Sequence, residues 1–205
     1  GDDVLFHPDG YLVASDLLGD SSLSNPQGNH LRRIDLDGTV SVYAEGVYQP
    51  VGNTRDEAGT IYVAQYGTSG AVYAVSPEGV VSTLAEGLSW ASNLVAIDGA
   101  VYVTAWGDDT VWRLDTGTLE MSVFASGDPL DGPVGIAADP DGFLLVASFN
   151  HGRIYKLDAA GEATLFATVP EDTSNGATAD MVRAHGGLYV TSYGGHAVYR
   201  VTAEG

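Results

Sequence analysis

The sequence predicts an all-β fold: a β-propeller of four-stranded antiparallel blades, with four complete blades and an incomplete fifth. Three observations lead to this prediction. Apolar runs of four to seven residues alternate with turns of Asp, Pro and Gly. Groups of these runs recur about every 40 to 50 residues, and helical periodicity is absent. Four strands per repeat at this period are typical of propellers, in which the blades surround a central channel.

The repeat is clearest in the second strand of each unit. Its equivalent positions are spaced 49, 40, 43 and 44 residues apart, at Asp16, Gln65, Ala105, Ser148 and Ser192. We therefore expect one domain over 1–205, with blades at about 2–50, 51–92, 93–133, 134–178 and 179–205. The most regular unit, from Gly135 to Val169, has four runs separated by turns, as expected for an antiparallel meander.

The fifth unit contains three strand-like runs and no fourth. Its last run is expected to be an exposed sheet edge that favours pairing with another strand, and it consists of Val198, Tyr199, Arg200, Val201 and Thr202. Three explanations stay open. The gene product continues beyond Gly205 and adds a sixth blade, the last blade is three-stranded, or a neighbouring copy donates a strand.

The composition excludes some classes of partner. Eight basic residues against 27 acidic ones give a formal net charge of −19, which argues against nucleic-acid binding. No apolar run is long enough to span a membrane, and there is no cysteine. The chain starts at Gly1 with neither Met nor a signal peptide, as either a mature, processed product or a trimmed chain would, and we expect an extracellular or cell-surface protein. The acidity indicates either a self-repelling soluble surface or carboxylates that bind calcium.

Two segments are longer than the repeat requires. Leu18 to His30 is an insertion between the second and third strands of the first unit, and Pro170 to Thr178 is a long link between the fourth and fifth units. In a propeller, these two kinds of loop emerge on the same face. We expect a binding site on that face, because rigid scaffolds usually carry their sites on loops.

The repeat resembles that of the NHL-repeat and SMP-30/gluconolactonase propellers. The segment from Gly132 to Asp158, GPVGIAADPDGFLLVASFNHGRIYKLD, is similar to the NHL pattern of a Pro-x-Gly-Ile-Ala opening, an Asp-Gly turn and Asn-His-Arg-Ile. The resemblance covers essentially the whole chain as a repeat. It implies the fold but leaves the function open, because this architecture hosts enzymes, binders and scaffolds.

The same resemblance implies a site for one divalent cation at the mouth of the channel. In SMP-30-like lactonases, the ligands are Glu, Asn and Asp residues at the starts of the innermost strands. The corresponding residues here are Asp2, Val51, Asn93, Val134 and Asp180. Asp2, Asn93 and Asp180 have side chains that could bind calcium or another hard cation, and the two valines do not. The alternative is that Asn93 and Asp180 cap turns while Asp2 is solvated.

Aromatic residues recur directly after the second strands. Together with two aromatic residues of the links, they predict a ring on the loop-bearing face, formed by Tyr48, Tyr66, Trp90, Trp106, Phe149 and Tyr193. Such a ring suits sugars, other flat ligands or a protein partner. The alternative is that these side chains pack between the blades.

His151 and His196 lie in adjacent units on the same face and are weak candidates for a general base. The NHL pattern places a structural histidine at the position of His151. The sequence contains no Gly-x-Ser-x-Gly elbow, Gly-rich phosphate loop or His-Glu-x-x-His motif.

Two functional classes follow. The first, which we favour, is an extracellular non-catalytic propeller that binds a small molecule, a carbohydrate or a protein partner, or assembles with copies of itself. The second is a metal-dependent hydrolase of the gluconolactonase kind, which would open a sugar lactone with metal-activated water.

Overall fold

The protein folds into five antiparallel sheets that follow one another around a central channel. The structure, a computed structural model, describes residues 3–17, 29–140, 144–170, 178–202 and 205. These residues contain nineteen strands and one short 3-10 turn at Trp106–Asp108. They contain no helix that is long and apolar enough to cross a membrane. The predicted all-β propeller, with four four-stranded blades and a fifth of three strands, is confirmed.

The strands of each blade follow the chain from the channel outwards. Blade 1 contains β1 (Val4–His7), β2 (Tyr11–Asp16), β3 (His30–Asp35) and β4 (Val40–Glu45). Blade 2 contains β5 (Pro50–Arg55), β6 (Ile61–Gln65), β7 (Gly70–Val75) and β8 (Val81–Leu88). Blade 3 contains β9 (Ala91–Ile97), β10 (Ala100–Ala105), β11 (Thr110–Asp115) and β12 (Met121–Ser126).

The last two blades continue this order. Blade 4 contains β13 (Pro133–Ala138), β14 (Leu144–Ser148), β15 (Arg153–Leu157) and β16 (Ala163–Thr168). Blade 5 contains β17 (Thr178–Ala184), β18 (Gly187–Ser192) and β19 (Ala197–Val201). Within the described residues, β19 pairs only with β18, so it is the outer edge of a three-stranded sheet.

Tight turns between the third and fourth strands keep each blade compact. In blade 1 the N–H of Gly38 donates to the carbonyl of Asp35, and in blade 4 the N–H of Gly161 donates to the carbonyl of Asp158. Both glycines have a positive φ, of +88° and +83°, which residues with a side chain rarely adopt. The Asp and Gly of the repeat are therefore explained by the geometry of this turn.

The core consists of four apolar clusters, one between each pair of successive blades. Leu31 of blade 1 and Ile61 of blade 2, for example, belong to the same cluster and are fully buried. Each blade has apolar side chains on both faces, so each interior sheet is buried on both sides. This stacking fixes the positions of the inner strands β1, β5, β9, β13 and β17 around the channel.

The outer faces of the first and last blades differ from the interior. On the inner strand of blade 1, Val4 and Phe6 are 54% and 61% exposed. On blade 5, Val182 and Val198 are 57% and 66% exposed. The ring therefore presents apolar side chains at both of its end blades.

A β-bulge near the start of several inner strands shifts their pairing with the second strands. The register shifts between Pro50 and Asn53 in β5, and it shifts at the corresponding point of β13 and β17. Such a bulge inserts one residue and re-aims the side chains beside it. Pairing with the second strands makes Asp3, Gly52, Asn93, Gly135 and Asp180 equivalent.

Candidate functional site: the mouth of the central channel

A cavity of about 640 Å³ opens at the end of the channel where the second strands finish. We call it the channel-mouth cavity. Its lining comes from all five blades and consists of Asp3, Leu17, Val51, Gly52, Tyr66, Ser92, Asn93, Trp106, Val134, Phe149, Ala179, Asp180, Thr191 and Tyr193. This volume lies in the range of small-molecule sites.

The walls of the cavity are largely aromatic. The residues that follow the second strands all lie in its lining: Leu17, Tyr66, Trp106, Phe149 and Tyr193. The backbone holds three of them in place, because the N–H groups of Tyr66, Trp106 and Phe149 donate to carbonyls of the links at 2.9, 3.0 and 2.8 Å. The strand end is thereby fixed, and its aromatic side chain is directed to the cavity.

Aromatic contacts support two sides of the wall. Trp90 makes edge-to-face contacts with Tyr66 and Trp106, at centroid distances of 4.7 and 6.4 Å. Phe149 and Tyr193 are neighbours, with their ring centroids 6.3 Å apart. Trp90 is therefore a support for the wall and is not part of its surface. Tyr48 is 57% exposed and lies outside the lining.

The floor of the cavity carries three polar side chains, from blades 1, 3 and 5. In Asp3, Asn93 and Asp180 alike, Oδ1 accepts a hydrogen bond of 2.7 Å from the N–H of the next residue. This contact holds each side chain against its own backbone. The equivalent residues of blades 2 and 4 are Gly52 and Gly135, which have no side chain to offer.

Two hydrogen bonds connect the floor residues to other blades. The Nδ2 of Asn93 donates to Oδ1 of Asp180, at 2.5 Å, across the channel from blade 3 to blade 5. Oδ2 of Asp3 accepts the backbone N–H of Asn53 in blade 2, at 2.7 Å. The floor therefore contains one amide–carboxylate pair, Asn93 and Asp180, and a second carboxylate, Asp3, that is held by the backbone of blade 2.

The described floor does not fit a divalent cation. The oxygen of Asn93 is committed to the N–H of Leu94, so the amide presents its nitrogen to Asp180, and nitrogen of an amide is a donor and not a metal ligand. Among the described residues, no three His, Cys, Asp or Glu side chains cluster as a metal site would need. Calcium takes six to eight oxygens, and two carboxylates fall short of that.

The structure describes only two of the three residues predicted to bind a metal. Asn93 and Asp180 come together at the floor, and Asp2 lies outside the described residues. The pairing of β1 with β2 puts Asp3 at the position that the alignment by strand starts gives to Asp2. A smaller chamber of about 270 Å³ lies beyond the floor and shares Asp3, Asn93 and Asp180 with the cavity. Its wall includes the buried Asn53, whose Oδ1 accepts no hydrogen bond from the described residues.

A signal in the sequence could have located the floor. Thr104 and Thr191, in the second strands of blades 3 and 5, accept the backbone N–H groups of Asn93 and Asp180 through their hydroxyls. Blade 1 has Ser15 at this position, whereas blades 2 and 4 have alanine. Hydroxyl residues therefore occur in the same three blades as the polar floor residues.

The histidine candidates lie outside the cavity lining. His151 is half exposed, and its Nε2 lies 2.5 Å from Oδ2 of Asp131. His196 is exposed in the turn between β18 and β19 and has a φ of +49°. The structure does not bring the two histidines together with the floor residues, and their catalytic role stays a prediction.

The opposite face has a second cavity, of about 580 Å³, between blades 2, 3 and 4. Tyr62 lines it and donates its hydroxyl to Oδ2 of Asp56 at 3.0 Å. Burial and this hydrogen bond raise the pKa of Tyr62 to about 12.

The two long segments of the loop-bearing face, Leu18–His30 and Pro170–Thr178, fall mostly outside the described residues. Residues 18–28 and 171–177 are the parts that the structure does not describe.

Comparison with known proteins identifies the fold. No family model matches the sequence, and no curated protein is similar enough in sequence to be a relative. Solved structures do match over nearly the whole chain. A catalytically inactive virginiamycin B lyase from Staphylococcus aureus, bound to quinupristin, is 21% identical, with a TM-score of 0.75 and 98% of this chain covered.

Two further structures give the same result. A proposed gluconolactonase is 20% identical and covers 100% of this chain with a TM-score of 0.74, and a luciferin-regenerating enzyme is 18% identical and covers 98% with a TM-score of 0.76. The chain spans 66%, 74% and 77% of the length of these three proteins. Its five blades match part of six-bladed propellers, and at these identities the likeness establishes the fold alone.

Proposed function

We propose that this chain forms the substrate-binding part of a propeller enzyme that hydrolyses a small cyclic ester. The observation that carries the proposal is the channel-mouth cavity, which combines aromatic walls with two carboxylates in a space of about 640 Å³. Pockets of this size, with few and convergent polar groups, are typical of sites for small molecules. The enzymatic names of the three matched structures support an enzyme over a scaffold.

The geometry suggests how the residues would act. The rings of Tyr66, Trp106 and Tyr193 would hold the flat substrate by stacking, with its ester group towards the floor. Asp180 would take a proton from the attacking water as a general base, while the Asn93 amide keeps its carboxylate oriented. Water adds to the ester carbonyl, the ring C–O bond breaks, and the proton then passes to the leaving oxygen.

The proposal is tested by measuring hydrolysis of a panel of neutral five- and six-membered lactones with the full chain. We expect turnover that Asp180→Asn lowers at least about a hundredfold, since general bases contribute that much or more. Asp131→Asn is the matched control, because Asp131 is a carboxylate outside the cavity lining. Absence of turnover both with a chelator and with added calcium or magnesium would refute the proposal.

The same assay tests whether activity requires a divalent cation. Activity that persists in a chelator is expected, because the described floor does not fit a divalent ion. Activity that appears only with added calcium would instead support the ligand set Asp2, Asn93 and Asp180.

A non-catalytic binding or self-assembling module is the second candidate. It is favoured by β19, whose outer edge has no partner strand among the described residues, and by the exposed Val4, Phe6, Val182 and Val198 of the two end blades. Exposed edges and apolar faces are common sites of association between chains. An extracellular location stays a prediction from the sequence.

A further inference from the structure

We infer that the channel-mouth cavity selects cyclic esters with an apolar body, such as alkyl- or aryl-substituted lactones, over the polyhydroxylated lactone of a sugar. This substrate class rests on the proposed function, whose cyclic ester it specifies further. Three features carry it: the aromatic rings of the wall, the aliphatic side chains beside the floor, and the hydrogen bonds that the polar side chains of the lining already make.

The wall presents two groups of aromatic rings. Tyr66 and Trp106 come from blades 2 and 3, and Phe149 and Tyr193 come from blades 4 and 5. Trp106 and Tyr193 are 38% and 66% exposed, so much of this aromatic surface is in contact with water. Exposed apolar surface within a concave site indicates a ligand that covers it. A hydrocarbon ring or chain gains by burial there, whereas hydroxyl groups would lose their hydration.

Aliphatic side chains continue this apolar surface. Val51 and Val134 line the cavity in blades 2 and 4, where the floor positions are glycines. Leu17 takes in blade 1 the place that aromatic residues have in the other four blades. The hydroxyls of a sugar lactone project from several carbons of its ring, so some of them would face these side chains. A hydroxyl buried without a partner weakens binding, while an apolar substituent gains from the same contacts.

The two hydroxyl side chains of the lining make hydrogen bonds within the protein. Oγ of Ser92 donates to the carbonyl of Trp90 at 3.2 Å. Oγ1 of Thr191 accepts the backbone N–H of Asp180 at 2.8 Å. Both hydroxyls therefore serve the backbone of the strand starts, which reduces what they offer to the hydroxyls of a ligand.

The floor side chains are engaged in the same way. Asn93 uses both of its polar atoms, because Oδ1 accepts the N–H of Leu94 and Nδ2 donates to Asp180. Each carboxylate oxygen of Asp3 accepts a backbone N–H. Asp3 and Asp180 also line the smaller chamber together with Arg183. The floor therefore suits a ligand with one polar group, the ester, better than a ring of hydroxyls.

These features give the substrate one orientation. Its ester lies towards the floor, and its apolar body lies between the two groups of aromatic rings. A volume of about 640 Å³ accommodates a bicyclic lactone or a six-membered lactone with a short alkyl chain.

Binding tests this preference without turnover. The probes are 1-tetralone, an apolar bicyclic ketone that cannot be hydrolysed, and glucose, a polyhydroxylated ring of similar size. Calorimetry with the full chain measures both affinities. We expect 1-tetralone to bind at least about tenfold more tightly, because even one methylene in an apolar pocket contributes on this scale.

Turnover tests it with lactones. The kcat/KM values of dihydrocoumarin and δ-nonalactone are compared with those of unsubstituted δ-valerolactone and glucono-δ-lactone, each corrected for spontaneous hydrolysis. The two apolar lactones should exceed glucono-δ-lactone at least about tenfold, with δ-valerolactone between them.

Variants locate the preference in the cavity. Tyr193→Ala removes a ring of the wall and should weaken 1-tetralone at least about fivefold, whereas Tyr48→Ala, at an exposed tyrosine outside the lining, should not. Val134→Thr places a hydroxyl in the wall and should reduce the preference for 1-tetralone over glucose. Val123→Thr, at an exposed valine of β12, is its control. Circular dichroism monitors folding, and Tyr193→Ala decides alone if Val134→Thr does not fold.

The outcomes distinguish the two proposals. Binding of glucose as tightly as 1-tetralone, or turnover of glucono-δ-lactone as fast as the apolar lactones, overturns the apolar preference and leaves the enzymatic proposal standing. Equal weakening by Tyr193→Ala and Tyr48→Ala also overturns it, because the ligand then lies elsewhere. Binding of 1-tetralone that Tyr193→Ala weakens, without hydrolysis of any lactone, overturns the enzymatic proposal and keeps the apolar site.

Discussion

Asn93 and Asp180 meet across the central channel, with Nδ2 of the amide 2.5 Å from Oδ1 of the carboxylate. The two residues are 87 positions apart and belong to blades that are not neighbours in the ring. The bond therefore connects the two blades that flank blade 4, at the floor of the candidate site.

Replacement of Asn93 by aspartate should convert the floor into a cation site. Asn93→Asp replaces the amide donor with a carboxylate that faces Asp180, so the variant should be less stable than the wild type in a chelator. Calcium should restore its stability, because three carboxylates then supply oxygens. We expect a calcium-dependent rise in Tm for Asn93→Asp only.

Thermal unfolding with calcium and with a chelator measures this effect. Asn93→Ala is the control, because it also removes the hydrogen bond but adds no charge. Loss of the bond should cost about 1–3 kcal/mol. A calcium-dependent rise in the Tm of the wild type would contradict our description of the floor.

Gly132 is a position at which added bulk should disturb the aromatic wall. Its φ is +61°, and a Cβ there would lie 2.8 Å from Cδ1 of Trp106. Gly132→Ala should therefore displace the indole and destabilise the fold by more than the backbone strain of about 1 kcal/mol. Tryptophan fluorescence and thermal unfolding measure the two effects.

The matched control is Gly127→Ala. Gly127 has a similar φ of +70°, and a Cβ there would have no atom within 4 Å. Gly127→Ala should therefore show the destabilisation caused by backbone strain alone, without a contact with Trp106. Equal destabilisation and unchanged fluorescence in both variants would argue against this packing of Trp106.

Tyr62 should make the fold sensitive to alkaline pH. Its pKa is about 12 in the folded protein, chiefly through burial and then through Asp56, against 10 for a tyrosine without these contacts. Because the folded state holds the proton more tightly, this contribution is complete below pH 10 and is lost as the pH rises towards 12. It amounts to about 1 kcal/mol, since the hydroxyl borders an open cavity.

Chemical unfolding at pH 8, 10 and 11.5 should show this loss in the wild type. Tyr62→Phe lacks the ionisable group and should lose less stability over the same interval. Ultraviolet titration of tyrosinate in the two proteins identifies the missing transition. A transition that is absent from Tyr62→Phe but centred near pH 10 would contradict the raised pKa.

The edge of β19 should promote association at high protein concentration, which is the test of the self-assembling candidate. Val198 is 66% exposed on this edge strand, and Val198→Lys adds a charge of the kind that protects natural edges. Sedimentation velocity should show concentration-dependent association of the wild type and less of the variant. Val80→Lys is the control, because Val80 is 65% exposed in a turn of an interior blade. A wild type that stays monomeric throughout would remove this candidate.

The fold could be predicted because the repeat is visible residue by residue. The strand-forming alternation and the Asp-Gly turns recur in each unit, so β13 to β16 lie close to the runs seen between Gly135 and Val169. The aromatic positions after the second strands could be predicted for the same reason. Backbone hydrogen bonds to the links hold Tyr66, Trp106 and Phe149 in place, and these three residues and Tyr193 all line the cavity.

The floor could not be predicted in the same way. The register between the inner and second strands leaves no mark in the sequence, so an alignment by strand starts selects Asp2 and Val51 where the structure has Asp3 and Gly52. The bond between Asn93 and Asp180 depends on the width of the channel, which strand pattern does not specify. The pairing of His151 with Asp131 is also set by the packing of a loop between blades.

Gly52 and Gly135 limit the routes by which mutation can change this channel. A Cβ on Gly52 would lie 2.6 Å from the Cα of Asn93, and one on Gly135 would lie 2.8 Å from the carbonyl oxygen of Ala179. Backbone occupies both places, so no single substitution there adds a functional group without moving a strand. New polar groups at the floor positions themselves are therefore accessible by point mutation only in blades 1, 3 and 5, and a single nucleotide change converts Asn93 into a third carboxylate.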